Sequence, residues 1–591
     1  MTQHESRNTN HAIRNTNHGS RITHHAPAAL IGVLTVAAVL RFVGLARLAL
    51  IGDEAYYWLW SRHMDWAYYD HPAGVALLVR ASTALGGPGE VGVRWLNALL
   101  GVGCVWVVYQ VGRRMFSRRA GLFAAAVVAV AAPYVVISRF VYTDGVFLFG
   151  MLGNLFLFWG MVGREGRGRT EGTDGKEGRG GWGWVLFGVT LGVLFNCKYS
   201  AYFYAAALGM AVLADYRYLL RERGFWLGAL IAALGLVPVM GWNAAHDWAS
   251  FRWQLAHATA SLGGRATLLG RARHGLVYLT WPCVALALLG LGRVRDRAGR
   301  LLSLVALFLL LPVALSRADS PRNLAGGLVP LFLLAGARLP ERPDGWKHRA
   351  VTGLLAAGLL ATAVYGAGTV AGLCVGQDAI LSPGEHGSGR VVGQDGILSP
   401  GEHASGLSVG QDGILSPGER GSGPVVGQDG ILSTGERASG LSVGQDGILS
   451  YLSNFSSSAV PVILDEAAGW RELGPALAGY PGTLFVLDYS IAGQVWAYSG
   501  RPAYTSWGQY RIWGVPAFRD ATVVSRRYLS EDVVSRRLGE AFERVSGPER
   551  LTSTEHGVTQ ELRVWQAQDL LLDQETFLDR FDFLALLEAS R

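Results

Sequence analysis

Uncharged apolar runs alternate with short arginine-rich segments over the first 373 residues of the chain. Runs of about 17–25 apolar residues are long enough to cross a bilayer as helices. Such runs lie near residues 28–48, 92–112, 120–138, 144–163, 182–197, 199–215, 225–243, 275–292, 301–316, 323–338 and 350–373. The pattern predicts a polytopic α-helical membrane protein with about 11 transmembrane helices. Arginine and lysine collect in every second connection: Arg113 to Arg119, Arg164 to Arg179, Arg217 to Arg223, Arg293 to Arg300 and Arg338 to Arg349. Basic loops stay on the cytoplasmic side, so the N-terminus is expected there. The segments holding Asp53 to Pro72, Asp144, Lys198, His246 to Arg273 and Arg317 to Arg322 then face the other side, as does everything after residue 373.

Two stretches lack the helical period. Residues 1–26 repeat RNTNHAI, RNTNHGS and RITHHAP and are expected to form a disordered His/Asn-rich cytoplasmic tail. A seventeen-residue repeat, VGQDGILSPGE with variations, starts at Val375, Val392, Val409, Val426 and Val443. Each unit offers little apolar surface for stacking, so residues 374–449 read as a flexible linker. Beyond it, Val460 to Leu464, Thr483 to Leu487 and Leu562 to Gln566 read as strands. Ile491 to Tyr498 and Glu531 to Phe542 read as amphipathic helices. This alternation predicts a small C-terminal extracytoplasmic α/β domain over 450–570, with 571–591 as a tail.

Composition changes the picture only by exclusion. The chain of 591 residues is 50% hydrophobic and 16% charged, too apolar for a soluble protein of this length. Its net charge of +7 is dispersed between apolar runs rather than gathered in a patch, which argues against nucleic acid as a partner. The four cysteines lie in or beside apolar runs, so neither a disulfide framework nor a thiolate metal site is expected.

Candidate chemistry concentrates just after the first apolar run, in Gly-Asp-Glu-Ala-Tyr-Tyr at Gly52 to Tyr57 and Tyr-Tyr-Asp-His-Pro at Tyr68 to Pro72. Carboxylates where a helix leaves the bilayer remain hydrated yet reach the head of a membrane-borne substrate. Structural readings compete: Asp53 and Asp144 as helix caps, Lys198 and Arg94 as interface anchors, His71 as a loop-packing residue. A transporter or lipid flippase is the alternative class. Transporters place ionisable groups near the bilayer midplane in repeated halves, whereas here the notable charges lie at outer span ends, Arg41 excepted, and no repeated halves are seen.

The run GDEAYYWLWSRHMDWAYYDHPAG, the YTDG at Tyr142 to Gly145, Lys198 at a span end, and DYSIAGQVWAYSGRPAYTSWGQYRIW together resemble bacterial GT-C superfamily membrane glycosyltransferases. The likeness is to the aminoarabinose-lipid A transferase and protein O-mannosyltransferase group and spans 28–373 and 450–570. It departs at His71 to Gly74, where the family often has a second proline. The resemblance implies a polyprenyl-phosphate sugar donor, a lipid, glycan or protein acceptor, inversion at the anomeric carbon, and a place in the inner or plasma membrane. An acceptor hydroxyl needs a base, for which Asp53 is the candidate, with Glu54 placing the acceptor or supporting the loop. The departing phosphate needs a cation, with Lys198 leading and Arg322 and Arg94 following. Asp144 is expected to hold the donor sugar or share the acceptor site, and Tyr56, Tyr57, Tyr69, Asp70 and His71 to line the pocket. No cofactor is assigned. No Asp-x-Asp cluster lies near the site, so metal dependence stays open.

Overall fold

The computed structural model describes residues 27–162, 177–259, 281–290, 296–315, 321–339, 346–375 and 459–590. The seven-residue and seventeen-residue repeats lie outside the described residues. Among the described residues five helices are long and apolar enough to cross a membrane: Glu90–Met115, Thr143–Val162, Arg223–Ala245, Arg297–Leu315 and His348–Cys374. A sixth span is formed if Arg118–Val130 and Ala132–Arg139, bent by 62°, are counted as one. The apolar runs predict about 11 spans; among the described residues several of those runs form helices of 10–17 residues, such as Pro27–Phe42 and Ser200–Asp215.

The bend explains the charge inside the first apolar run. Pro133 lacks an N–H, so the helix cannot continue through it and the carbonyls one turn earlier lose their donors. Arg41 supplies them: its guanidinium donates to the carbonyls of Ala129 and Val128 at 2.9 Å each. In return Arg139, at the end of the second arm, donates to the carbonyls of Leu40 and Val43 at 3.0 and 2.6 Å. Arg41 is fully buried and mends a broken span, which accounts for an arginine at that depth.

Residues 459–590 build a five-stranded sheet in the order β2-β1-β3-β5-β4, from Ala503–Tyr504, Thr483–Val486, Ala521–Arg526, Val558–Leu570 and Phe542–Glu555. The strands β2, β1 and β3 run parallel, and β5 is antiparallel to both β3 and β4. His556 and Gly557, with φ of 55° and 73°, close the β4–β5 hairpin, as a tight two-residue turn requires positive φ at both positions. Strand residues Phe485, Val523 and Trp565 pack with Phe577 and Phe581 in one core. Two sequence readings are corrected. Val460 to Leu464 belong to the helix Ala459–Ala467, because the segment buries a helical face rather than alternate residues. Residues 571–591 are not a tail: Gln574–Arg580 and Phe583–Ala589 are helices whose Phe577, Phe581 and Leu586 are fully buried.

This lobe rests directly on the loop that precedes Gly52. Tyr498 donates to Glu90 and accepts from the Leu50 amide at 2.6 Å, and Gln494 donates to the Leu50 carbonyl at 2.7 Å. The contact is close enough to require glycine: a Cβ on Gly52 would meet the Ser490 carbonyl oxygen at 2.5 Å, and one on Gly493 the Tyr56 amide nitrogen at 2.8 Å.

Candidate active site

Helix Gly52–Arg62 begins at Gly52, so Asp53 is not its N-cap; Ile51 occupies that position and Asp53 lies in the first turn. Negative charge is favourable there, beside the exposed amides of the helix start. Its neighbour Glu54 turns the other way and is fully buried. Arg94 meets Glu54 at 2.6 Å and spends its remaining N–H groups on the carbonyls of Leu45, Leu48 and Ala49 at 2.7–2.8 Å. Glu54 in turn accepts from the amides of Ile51 and Val141 at 3.2 and 3.0 Å.

One turn after Arg94 on the helix Glu90–Met115, Asn97 donates to the carbonyls of Ile137, Ser138 and Phe140. Arg94 and Asn97 thus hold two separate chain segments against one helix face, the first ending at Asp53 and the second leading to Asp144. Glu54 and Arg94 do not line the cavity described next. Arg94 is therefore no contact for a donor phosphate: its guanidinium is saturated by the protein.

The cavity, about 870 Å³ in volume, is lined by Asp53, Tyr56, Tyr57, Tyr69, Asp70, His71, Tyr142, Thr143, Asp144 and Lys198 from the membrane part. Lys198 follows the helix Glu177–Phe195, and its ammonium donates to Asp144 at 2.5 Å and to Asn323 at 2.7 Å. Asn323 stands in the short turn Pro321–Leu324. Arg322 is in the same turn, but its side chain lies outside the described residues. Among the described residues no group of three or more His, Cys, Asp or Glu side chains is arranged to hold a metal ion.

Further lining comes from the lobe, including Tyr489, Ser506, Trp507, Arg511, Asp579 and Asp582. Tyr489 stacks on Trp507 with ring centroids 3.9 Å apart, and Tyr69 and Trp253 meet Trp507 edge-on. Arg511 pairs with Asp579 at 2.7 Å. The Tyr69 amide donates to Gln509 at 2.6 Å, tying the Tyr68 to Pro72 motif to the lobe. Sequence reasoning marks the motif that carries Trp507 and Arg511 but misses Asn323, Asp579 and Asp582. Asn323 adjoins an arginine in an unremarkable loop, and the two aspartates sit in the stretch that reads as a tail, so no local pattern marks them.

Burial pushes the Asp70 carboxyl up to about 7, and the nearby Asp53 adds to the rise, against the opposing pull of Tyr56 and Trp507. A carboxyl raised in this way adds stability that is complete below its unfolded value near 4 and is lost as pH climbs through about 7. Asp70→Asn removes that loss. The variant is expected to be more stable than the unliganded wild type by on the order of 3 kcal/mol at pH 8, with the gap closing toward pH 4. Tyr56, Tyr69 and Tyr510, which face Asp70, are themselves raised by burial and do not titrate in that window. Thermal melts of the two proteins across pH 4–8 check this; a gap independent of pH would refute it.

Residues 70–242 match the family model described as dolichyl-phosphate-mannose-protein mannosyltransferase. The chain is similar to the lipid A galacturonosyltransferase RgtD of Rhizobium johnstonii, 25% identical over 196 residues. That match covers 33% of this chain and 38% of the relative, well under half the relative's length. In three dimensions the chain is similar to ArnT from Cupriavidus metallidurans in the apo state, at a TM-score of 0.53 and 16% identity, covering 91% of this chain and 98% of that one. A second structure of that ArnT, bound to undecaprenyl phosphate, aligns at a TM-score of 0.49 and 16% identity over 90% of this chain and 97% of that one. The match over residues 70–242 and the fold shared with ArnT make the chain similar to membrane glycosyltransferases.

Proposed function

We propose that the protein transfers a sugar from a polyprenyl-phosphate donor to a lipid, glycan or protein acceptor at the non-cytoplasmic face of the inner or plasma membrane, with inversion. The observation that carries this reading is the convergence of Asp53 with the Asp144, Lys198 and Asn323 cluster on one cavity at the ends of apolar helices. The chemistry needs a base for the acceptor and a cation for the departing phosphate, and those are the groups present. The alternation of basic loops supports the orientation, with the N-terminus cytoplasmic and the lobe outside. The matching family is named for a dolichyl-phosphate-linked donor and the Rhizobium relative for transfer to lipid A, which supports a lipid-borne donor and an envelope acceptor.

In this reading Asp53 takes the proton of the acceptor hydroxyl as the new glycosidic bond forms. Lys198 meets the phosphate as the bond to the anomeric carbon breaks and charge grows on the leaving oxygen. Asp144 and Asn323 hold the ammonium in place. A lysine so held acts as a point charge, and Lys198→Met is expected to lower kcat/KM by about 10²–10³-fold. Lys198→Arg is expected to restore part of it.

The test is direct. Purified protein is incubated with a panel of polyprenyl-phosphate sugars and bacterial membrane extract, and glycosylated product is sought by mass spectrometry. A product that requires both the donor and Lys198 supports the reading; no product from any donor, with correctly folded protein, overturns it.

A further inference from the structure

Between the helix Pro27–Phe42 and the helix Gly52–Arg62 the chain forms no regular structure, yet Leu48, Ala49, Leu50 and Ile51 are buried. Buried carbonyls outside a helix or a sheet must find other donors. Here six in a row are met by side chains. Arg94 takes those of Leu45, Leu48 and Ala49 at 2.7–2.8 Å. The other three are held from the lobe. Arg471, on the helix Trp470–Ala478, donates to the carbonyls of Ala46 at 2.6 Å and Arg47 at 3.1 Å, and Gln494, on the helix Tyr489–Ser499, donates to that of Leu50 at 2.7 Å.

Leu50 is gripped at both of its backbone groups, since its amide donates to the Tyr498 hydroxyl at 2.6 Å. Gln494 and Tyr498 stand four residues apart and so share one helix face. Neither is loose. The Gln494 amide group also donates to the Glu466 carbonyl at 2.8 Å, and the Tyr498 hydroxyl donates to Glu90 at 3.1 Å, a carboxylate that Arg471 meets as well. Leu50 lies three residues before Asp53, and the helix carrying Asp53 starts at Gly52, so the Leu50 peptide sets where that helix begins. Neither Gln494 nor Tyr498 lines the cavity. Their reach to the site is through the backbone.

We propose that Gln494 and Tyr498 are positioning residues for the base: by fixing both backbone groups of Leu50 they aim the Asp53 carboxylate at the acceptor hydroxyl. The proposal rests on the glycosyltransferase reading, with Asp53 as its base, and deepens it by giving the lobe a part in the chemistry without contact to the reacting atoms. A misplacement of about 1 Å is enough to cost about 10²-fold in rate. Lys198 is held by Asp144 and Asn323, outside this network, so the loss falls on transfer and spares the donor phosphate.

In the test, Tyr498→Phe and Gln494→Leu are each introduced into full-length wild type and into full-length Asp53→Asn. Single-turnover transfer from polyprenyl-phosphate sugars to membrane extract and equilibrium binding of polyprenyl phosphate are measured for all of them. In the wild-type background each substitution is expected to lower transfer by about 10–10²-fold while polyprenyl phosphate binds within about twofold of wild type. In the Asp53→Asn background the same substitutions are expected to change the residual rate by less than about twofold, because the group they aim has lost its function. Tyr498→Phe deletes one hydroxyl and carries the test if Gln494→Leu does not fold. Equal losses in the two backgrounds, which a general loosening of the lobe would give, overturn the proposal, as does a wild-type transfer rate in folded and inserted Tyr498→Phe. Failure of wild type to use any donor would instead overturn the glycosyltransferase reading, and the positioning role with it.

Discussion

Asp53→Asn is expected to remove nearly all sugar transfer, by about 10³-fold or more in kcat, while membrane insertion and thermal stability stay at wild-type levels. General-base assistance contributes about 10²–10⁴-fold, and asparagine is nearly isosteric with aspartate but cannot take a proton at neutral pH. Stability is expected to hold because Asp53 is only half-buried at the cavity wall and is not the helix N-cap. The contribution it makes through the helix start is at most about 1 kcal/mol. Donor binding should also survive, since the cation proposed to hold the phosphate is Lys198. The decisive measurement is therefore a pair: equilibrium binding of the donor and single-turnover transfer. Intact binding with lost transfer supports Asp53 as the base, and transfer within about tenfold of wild type would remove it from that role.

The legibility of the site follows from how far each contact reaches along the chain. Asp53, Asp70 and His71 lie within one short motif, and the apolar run before it announces where the chain leaves the bilayer. Lys198 and Asp144 stand out because charges at span ends are conspicuous against apolar neighbours. The partnership of Glu54 with Arg94 is not legible, because nothing in a sequence tells whether an arginine 40 positions away points into a cavity or back to the backbone. Arg94 reads from the sequence as a trailing phosphate candidate or an interface anchor, yet it is consumed by carbonyls left without donors in the irregular stretch Leu45 to Ala49. The lobe shows the same limit. Its strand and helix periods place Thr483–Val486 and Glu531–Ala541, but two aspartates near the C-terminus reach the cavity only through tertiary packing.

Substitution of Arg94 is expected to produce the largest loss of stability in the molecule. Removing one partner of a buried ion pair costs about 3–5 kcal/mol, because the other charge is left without compensation. At this pair, 1% and 0% exposed, Arg94→Ala also abandons the carbonyls of Leu45, Leu48 and Ala49. Buried ion pairs can often be replaced by apolar residues of similar volume with little loss. That rescue is expected to fail here. Glu54→Leu combined with Arg94→Met removes both charges but leaves three carbonyls and the amides of Ile51 and Val141 unpaired, each costing about 1–3 kcal/mol. Arg94→Lys should be little better, since an ammonium offers three donors where the guanidinium uses all five of its N–H groups. Thermal unfolding of the single and double variants, combined in a double-mutant cycle, measures this. A double variant as stable as wild type would show that the pair is replaceable and that the fold does not depend on it to bring the loop of Asp53 and the segment of Asp144 together.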